Sequence, residues 1–405
     1  MKEDNTAKTT SDKTTSGKTP RKQTVVFTGG GTGGHIYPNL ALIPEFERRG
    51  FKTVYIGGEG NPMERKLALD NKIKYFGVPV IKLVRSFSPS ALSNNIKIPF
   101  TLSRAINAAR SILQEVNPSA VFSKGGFVSL PVVMAAKKLG IPVFAHESDL
   151  TLGLANKIAA RCGATILKAN PHAEFDGKTV GMPLRDSLFG IKKAEAKQRI
   201  GISTSKKILL VLGGSSGAQF INNAVKDRLQ ELTEKYFVLH VCGRGGISGT
   251  YNAAVTLSNG GAAKEKSEAV ASEKIKKNYM KFEYADNIAD FYAASDVILS
   301  RAGATAVYEI SALKKRALFV PLPKGVSRGD QIYNAKLAEE FGAHTLCQNE
   351  QFSDNLIDAL EKVLQNPPMR AILSDANGKI ADIVCDSIRR GEICKNKKPS
   401  QSGSQ

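Results

Sequence analysis

A chain of 405 residues is long for one hydrophobic core, so two domains are expected. Hydrophobic residues at 42% together with 36 glycines fit a soluble α/β protein, and no apolar run approaches the length needed to span a bilayer. The net charge of +20 favours an anionic partner: a nucleic acid, an anionic membrane surface or a phosphorylated substrate.

Part of that charge sits at the ends. Residues 1–22 are rich in Lys, Thr and Ser without an apolar run, so a disordered tail is expected there and not a signal peptide, and residues 391–405 read the same way. The cysteines (Cys162, Cys242, Cys347, Cys385 and Cys394) are scattered and odd in number, with no CxxC or Cys/His metal spacing. They read as reduced thiols of a cytosolic protein.

Residues 25–50, VVFTGGGTGGHIYPNLALIPEFERRG, open the folded chain. A short apolar run ends in Gly29, Gly30, Gly31, Gly33 and Gly34; Ile36, Leu40 and Ile43 then follow helical spacing, and Gly50 supplies a stop. This is strand, glycine turn, helix. Glycines let the backbone approach a ligand, and the free N–H groups of the helix start suit an anion such as phosphate. Pro44 inside the helix is expected to kink it. KTVYIGG is a second strand, and KLALDNKIKYFGVPV holds a helix and a third strand.

Residues 80–116 interleave apolar residues with Lys82, Arg85, Lys97 and Arg104 and carry no acidic residue before Glu115. From Leu102 onward, Ile106, Ala109 and Leu113 recur at core spacing and predict a packed helix. The stretch 82–100 reads either as a loop packed on the sheet or as a membrane-surface patch, with apolar insertion plus cations for anionic head groups. AVFS and PVFAH are buried-type strands flanking a helix at 129–139 that is preceded by Gly125 and Gly126. His146 and Glu147 follow at the strand end, where the histidine belongs either to a site loop or to the structure.

Residues 186–207 are charged and read as a linker. KKILLVLGGSSGAQFINN then restarts the pattern of strand, glycine turn and helix, YFVLHVCG is the next strand, and 244–277 reads as a polar surface insertion. Further on, DVILS leads into SRAGATAVYEI, where small residues again leave helix N–H groups open at a strand's carboxyl end. Glu309 on that helix can accept from both hydroxyls of a ribose, or be a solvated helix glutamate. Gln331 precedes the helix of DQIYNAKLAEEFG, and a last helix is expected over 369–388.

GGGTGGH, GGF at 125–127, HES at 146–148, GMPLR, GGSSGA, SRAGATAVYE and DQIYNA occur in an order and spacing that resemble the MurG family across about residues 23–390. Members of that family are membrane-associated N-acetylglucosaminyltransferases converting lipid I to lipid II. The resemblance implies a GT-B fold, an α/β architecture of two Rossmann-like domains facing across a cleft. Residues 23–186 would form an acceptor- and membrane-side domain and 187–371 a UDP-sugar-binding domain, with a helix over about 372–390 returning to the first.

It further implies that Thr32, Gly33 and Gly34 lie near the donor diphosphate and acceptor, and that His35 is similar to the family's candidate general base. Arg185 and Ser215 resemble contacts to the donor diphosphate or sugar. Ala285 would meet uracil through its backbone, Ala304, Thr305 and Ala306 would line the diphosphate and sugar, Glu309 would take the ribose and Gln331 the N-acetylglucosamine hydroxyls. Departures from the common pattern are Asp149 and Met182, each where many members have Asn, and Ser216. Asp149 weighs most, since an amide contact to sugar or acceptor would become a charged one.

Such a reaction needs no covalent intermediate. A UDP-sugar carries its own leaving group, a base takes the acceptor proton, and the growing charge on the diphosphate must be stabilised. No D-x-D motif is present, so no metal or other cofactor is expected. The expected partners are UDP-N-acetylglucosamine, lipid I and an anionic membrane surface, at the cytoplasmic face of the cell membrane. The other role for His35 is helix capping or phosphate neutralisation. A different lipid acceptor such as diacylglycerol stays open. A dinucleotide-dependent oxidoreductase would want an acidic residue where KTVYIGG ends in glycines. A nucleic-acid-binding protein lacks its motifs here, with aromatics at 7% and no Trp, so no nucleic acid is expected as partner.

Overall fold

The computed structural model describes residues 22–31, 33–80, 98–213, 218–243, 277–285, 287–324, 329–373 and 375–396. Thr32, Ser215, Ser216, the 82–97 part of the basic apolar stretch and the insertion over 244–276 lie outside them.

The first half runs β1 (Thr24–Thr28), α1 (Gly33–Arg48), β2 (Lys52–Gly58), α2 (Pro62–Asp70), β3 (Lys74–Val78), α3 (Ile98–Val116), β4 (Ala120–Ser123), α4 (Ser129–Lys138), β5 (Val143–Glu147), α5 (Leu154–Arg161), β6 (Thr165–Lys168) and β7 (Lys178–Thr179). Its seven strands form a parallel sheet of order β3-β2-β1-β4-β5-β6-β7. The second half adds α6 (Lys193–Ile200), β8 (Lys207–Leu212), α7 (Gln219–Asp227), α8 (Leu229–Lys235), β9 (Tyr236–Val241), β10 (Tyr279–Phe282), α9 (Ile288–Ala294), β11 (Val297–Ser300), α10 (Ala304–Ala312), β12 (Arg316–Phe319), α11 (Asp330–Glu340), β13 (His344–Thr345) and α12 (Phe352–Gln365). Its six-stranded parallel sheet has the order β10-β9-β8-β11-β12-β13.

The period of two along the strands builds two cores per sheet. In β8, Ile208, Leu210 and Leu212 face one apolar cluster with α9, α10 and α11, while Leu209 and Val211 face another with α7, α8 and α12. In β1, Val25 and Phe27 pack under α1 while Val26 faces Ile106, Ala109 and Leu113 of α3. In each sheet the chain reverses its direction of travel between the two central strands, β1 and β4 or β8 and β11. Loops that leave neighbouring strands on opposite sides open a crevice at the strands' carboxyl ends, where α/β folds seat ligands.

Two sequence expectations are corrected. The charged stretch after Arg185 is no free linker: Leu188, Ala196, Ile200 and Ile202 are buried in the second domain's core, and Lys193, Arg199 and Lys206 donate to Asp296, Asp290 and the Thr233 carbonyl of the same domain. The final helix, α13 (Ala376–Asn396), does not begin at Met369. Met369 and Ile372 are buried with the second domain, Asp375 takes a left-handed φ of 57°, and Ile380, Ala381, Val384, Cys385 and Ile388 then pack against α1 in the first domain's core. Apolar spacing across 369–388 therefore spans two different cores. The helical segment of α1 contains both Pro38 and Pro44.

Candidate active site between the two sheets

The carboxyl ends of the two sheets meet where Arg185, following β7, reaches the second domain. Its guanidinium lies 4.7 Å from the Tyr37 ring centre and donates to Glu309 Oε1 at 3.4 Å. Tyr37 of α1 is hydrogen-bonded through its hydroxyl to Tyr284, and Tyr308 of α10 donates to Ala169 O at 2.7 Å. These contacts tie α1 and the 169–185 segment to α10 and the loop after β10. Arg185 Nε is buried and has no partner among the described residues, a cationic donor at the junction of the halves.

Glu309 is 7% exposed and accepts a hydrogen bond from Tyr292 at 3.0 Å as well as from Arg185. Burial pushes its carboxyl above the ordinary range, while Arg185 and the Tyr292 hydroxyl pull it back. It is no solvated helix glutamate. The same helix starts at Ala304 with Gly303 as N-cap and no side-chain cap, so the N–H groups of Ala304, Thr305 and Ala306 lie at an uncapped helix start. Ala285 is partly buried on the second domain's core beside Tyr284. Gln331, on the first turn of α11, accepts from Leu322 N–H at 3.1 Å, which fixes its amide plane with the NH₂ as the donating end.

On the first domain, Gly33, Gly34 and His35 form the first turn of α1, and His35 is half-buried. Gly126, at φ +81°, runs directly beneath it: a methyl there would stand 2.5 Å from Gly30 O and 3.4 Å from His35 Nδ1. The turn after β4 thus seats the histidine. Sequence reasoning missed what lies under this loop. Glu64, 1% exposed, accepts from Gly31 N–H at 2.6 Å, Gly58 N–H at 2.9 Å and Asn61 Nδ2 at 2.6 Å, and any Cβ on Gly30 would collide with it. The glycine cluster is therefore anchored from below by a protein carboxylate, and Gly31 N–H is not open to a phosphate. The signal was Asn61-Pro62-Met63-Glu64, a helix start with an N-cap and a Glu three residues on. Glu64→Gln, which turns an amide NH₂ towards one of those N–H donors, is expected to lower the unfolding free energy by about 2 kcal/mol in a denaturant titration.

Of the other histidines, His146 is fully buried behind the cleft, its Nε2–H donating to Gly181 O at 2.8 Å. Burial first, and the nearby Lys124 second, hold its pKa well below 6.5, so it ties β5 to the 181–185 segment as a neutral ring. His172 reaches Glu340 across the two halves at 3.0 Å, both side chains exposed. Asp149, partly buried, follows the buried Glu147 and Ser148 on the loop beside Gly125 and Gly126.

The arrangement can hold an anion between an uncapped helix and an arginine, offer a carboxylate to a diol, and present an imidazole across the cleft. The chain as a whole resembles known proteins. The profile of the glycosyltransferase family 28 N-terminal domain matches residues 25–167, and that of the family's C-terminal domain matches residues 208–384. A UDP-N-acetylglucosamine–N-acetylmuramyl-(pentapeptide) pyrophosphoryl-undecaprenol N-acetylglucosamine transferase from Clostridium botulinum (strain Kyoto) is 38% identical over 350 residues, 84% of this chain and 91% of its own. The protein of that name from Clostridium tetani is 36% identical over 352 residues, 85% and 91% of the two chains. The crystal structure of Acinetobacter baumannii MurG superposes with a TM-score of 0.64 at 22% identity, covering 90% of this chain and 99% of that one, a likeness of fold.

Proposed function

The chain belongs to the MurG branch of glycosyltransferase family 28, and from that premise we propose that it moves N-acetylglucosamine from UDP-N-acetylglucosamine to lipid I, forming lipid II for peptidoglycan synthesis. The acceptor is an undecaprenyl-pyrophosphoryl N-acetylmuramoyl pentapeptide, whose 4-hydroxyl attacks the anomeric carbon of the donor with inversion. The observation that carries the reading is the meeting of Arg185, Glu309 and the uncapped start of α10 at the junction of the two sheets. Glu309 takes the ribose hydroxyls, while Arg185 and the N–H groups at 304–306 stabilise charge growing on the leaving diphosphate. Gln331 donates to the sugar and Ala285 meets the base through its backbone. From the facing domain, Gly33 and Gly34 let acceptor and donor approach closely, and His35 takes the proton of the attacking hydroxyl.

The test is UDP release from the purified chain with UDP-N-acetylglucosamine and a lipid I analogue. Acceptor-dependent release about a hundredfold above the acceptor-free rate is expected. Release with diacylglycerol in place of that analogue would move the chain to another lipid acceptor.

No helix among the described residues is long and apolar enough to cross a membrane. We propose peripheral contact with the cytoplasmic leaflet through the start of α3, where Phe100 is 76% exposed next to the basic apolar stretch. Binding to anionic vesicles without comparable binding to duplex DNA is the expected outcome, and equal binding to both would reject the membrane assignment.

A further inference from the structure

Glu64 is a buried carboxylate, 1% exposed, that the transfer chemistry leaves unused. It is bonded by neutral donors: the N–H groups of Gly31 at 2.6 Å and Gly58 at 2.9 Å, and the Asn61 amide at 2.6 Å. Withdrawing a carboxylate from water is costly unless such bonds replace the water it loses, so the groups that supply them are held firmly. The sequence makes room for it. β2 ends in Gly57 and Gly58, where a dinucleotide-binding fold would carry its acidic residue. A Cβ on Gly57 would stand 2.7 Å from Glu64 Oε2, and one on Gly30 would collide with Oε1. The carboxylate comes instead from the first turn of α2 and meets the first glycine turn from below.

Other side chains hold the same turn and its neighbour. Asn39 Nδ2 donates to Thr28 O at 3.1 Å, the Tyr55 hydroxyl donates to Gly29 O, and the Tyr75 hydroxyl donates to Gly58 O at 2.9 Å. Gly30 O and His35 Nδ1 both abut Gly126, whose Cβ would stand 2.5 and 3.4 Å from them. The turn is thus pinned by Glu64 and Gly126, and His35 follows Gly31 by four residues at the start of α1.

We propose that Glu64 is a positioning residue for His35, an internal anion beneath the glycine turn that fixes the start of α1 and thereby aims the imidazole at the acceptor hydroxyl. The inference rests on the glycosyl-transfer reading. A turn free to shift by about 1 Å would misplace the base, a displacement that can cost about a hundredfold in rate. The donor contacts of the second domain would stay in place.

The test is acceptor-dependent UDP release from the full chain carrying Glu64→Gln, Glu64→Ala, or Glu64→Gln with His35→Ala, measured well below each variant's Tm. Glu64→Gln is expected to lower kcat about tenfold and Glu64→Ala about a hundredfold, with the KM for UDP-N-acetylglucosamine within about twofold of wild type. Acetate, which restores the missing carboxylate, raises kcat of Glu64→Ala saturably at constant ionic strength, where chloride does not. Because Glu64 acts through His35, the double variant is no slower than His35→Ala alone, instead of losing the further tenfold or so of independent sites. A kcat unchanged in Glu64→Gln, additive losses in the double variant, or a folded Glu64→Ala that acetate does not restore overturns the proposal; the first two do not need the alanine variant to fold. Hydrogen exchange over residues 29–35 separates the two readings. Faster exchange in Glu64→Gln of a chain inactive towards the acceptor keeps the anchor and sinks the transfer reading, whereas an active chain with exchange and kcat unchanged does the reverse.

Discussion

Alanine at His35 lowers acceptor-dependent UDP release by about a thousandfold, with UDP-N-acetylglucosamine still bound, if the imidazole is the group that takes the acceptor's proton. The geometry separates this residue from the donor contacts. His35 sits on the first turn of α1, seated over Gly126 at the carboxyl edge of the first sheet, while Glu309, Gln331 and the start of α10 belong to the second. Removing the ring therefore leaves the donor's hydrogen bonds in place and strips the acceptor hydroxyl of its base. Donor affinity by titration calorimetry and single-turnover release make the comparison. A histidine that only neutralised phosphate or capped the helix would give the opposite split, with weaker donor or acceptor binding and a turnover rate within about tenfold of wild type.

The parts of this molecule that follow a short repeat are legible in the sequence. A period of two in β1 and β8, glycine clusters behind them, and helical spacing in α1 and α3 each depend on neighbours in sequence. What was not legible depends on partners far along the chain. Glu64 reaches a glycine loop 33 residues earlier, and a lone Glu after an Asn-Pro start reads only as a helix cap. Tyr37 gains its place from Arg185 and Tyr284, one on each side of the domain boundary. The misplaced linker had a similar cause: α6 buries only Ala196 and Ile200, so its composition resembled a solvated connection. His146 stands at a strand end among site-like motifs, but the 181–185 segment covers it and supplies the carbonyl it needs.

Alanine at Glu309 is expected to weaken donor binding by about a hundredfold, with a smaller effect on the rate from the bound state, because a site built to hydrogen-bond hydroxyls loses its acceptor and strands the groups that held it. Both Arg185 and Tyr292 point at this carboxylate, so Ala leaves one cation and one phenol without it. The pH dependence distinguishes an acceptor carboxylate from a packing residue. Burial raises the Glu309 pKa above its ordinary value of 4.5, so the ligand-free chain loses stability as pH rises from 4.5 through the folded value and carries that penalty above it. Ribose hydroxyls donate to the ionised form, so UDP binding favours release of the proton and its affinity falls as pH drops through the raised value. In Glu309→Gln the same titration is weak and flat across that window. A wild-type affinity for UDP that does not change over it would remove Glu309 from the ribose contact and leave it as the buried partner that fixes Arg185 between the two sheets.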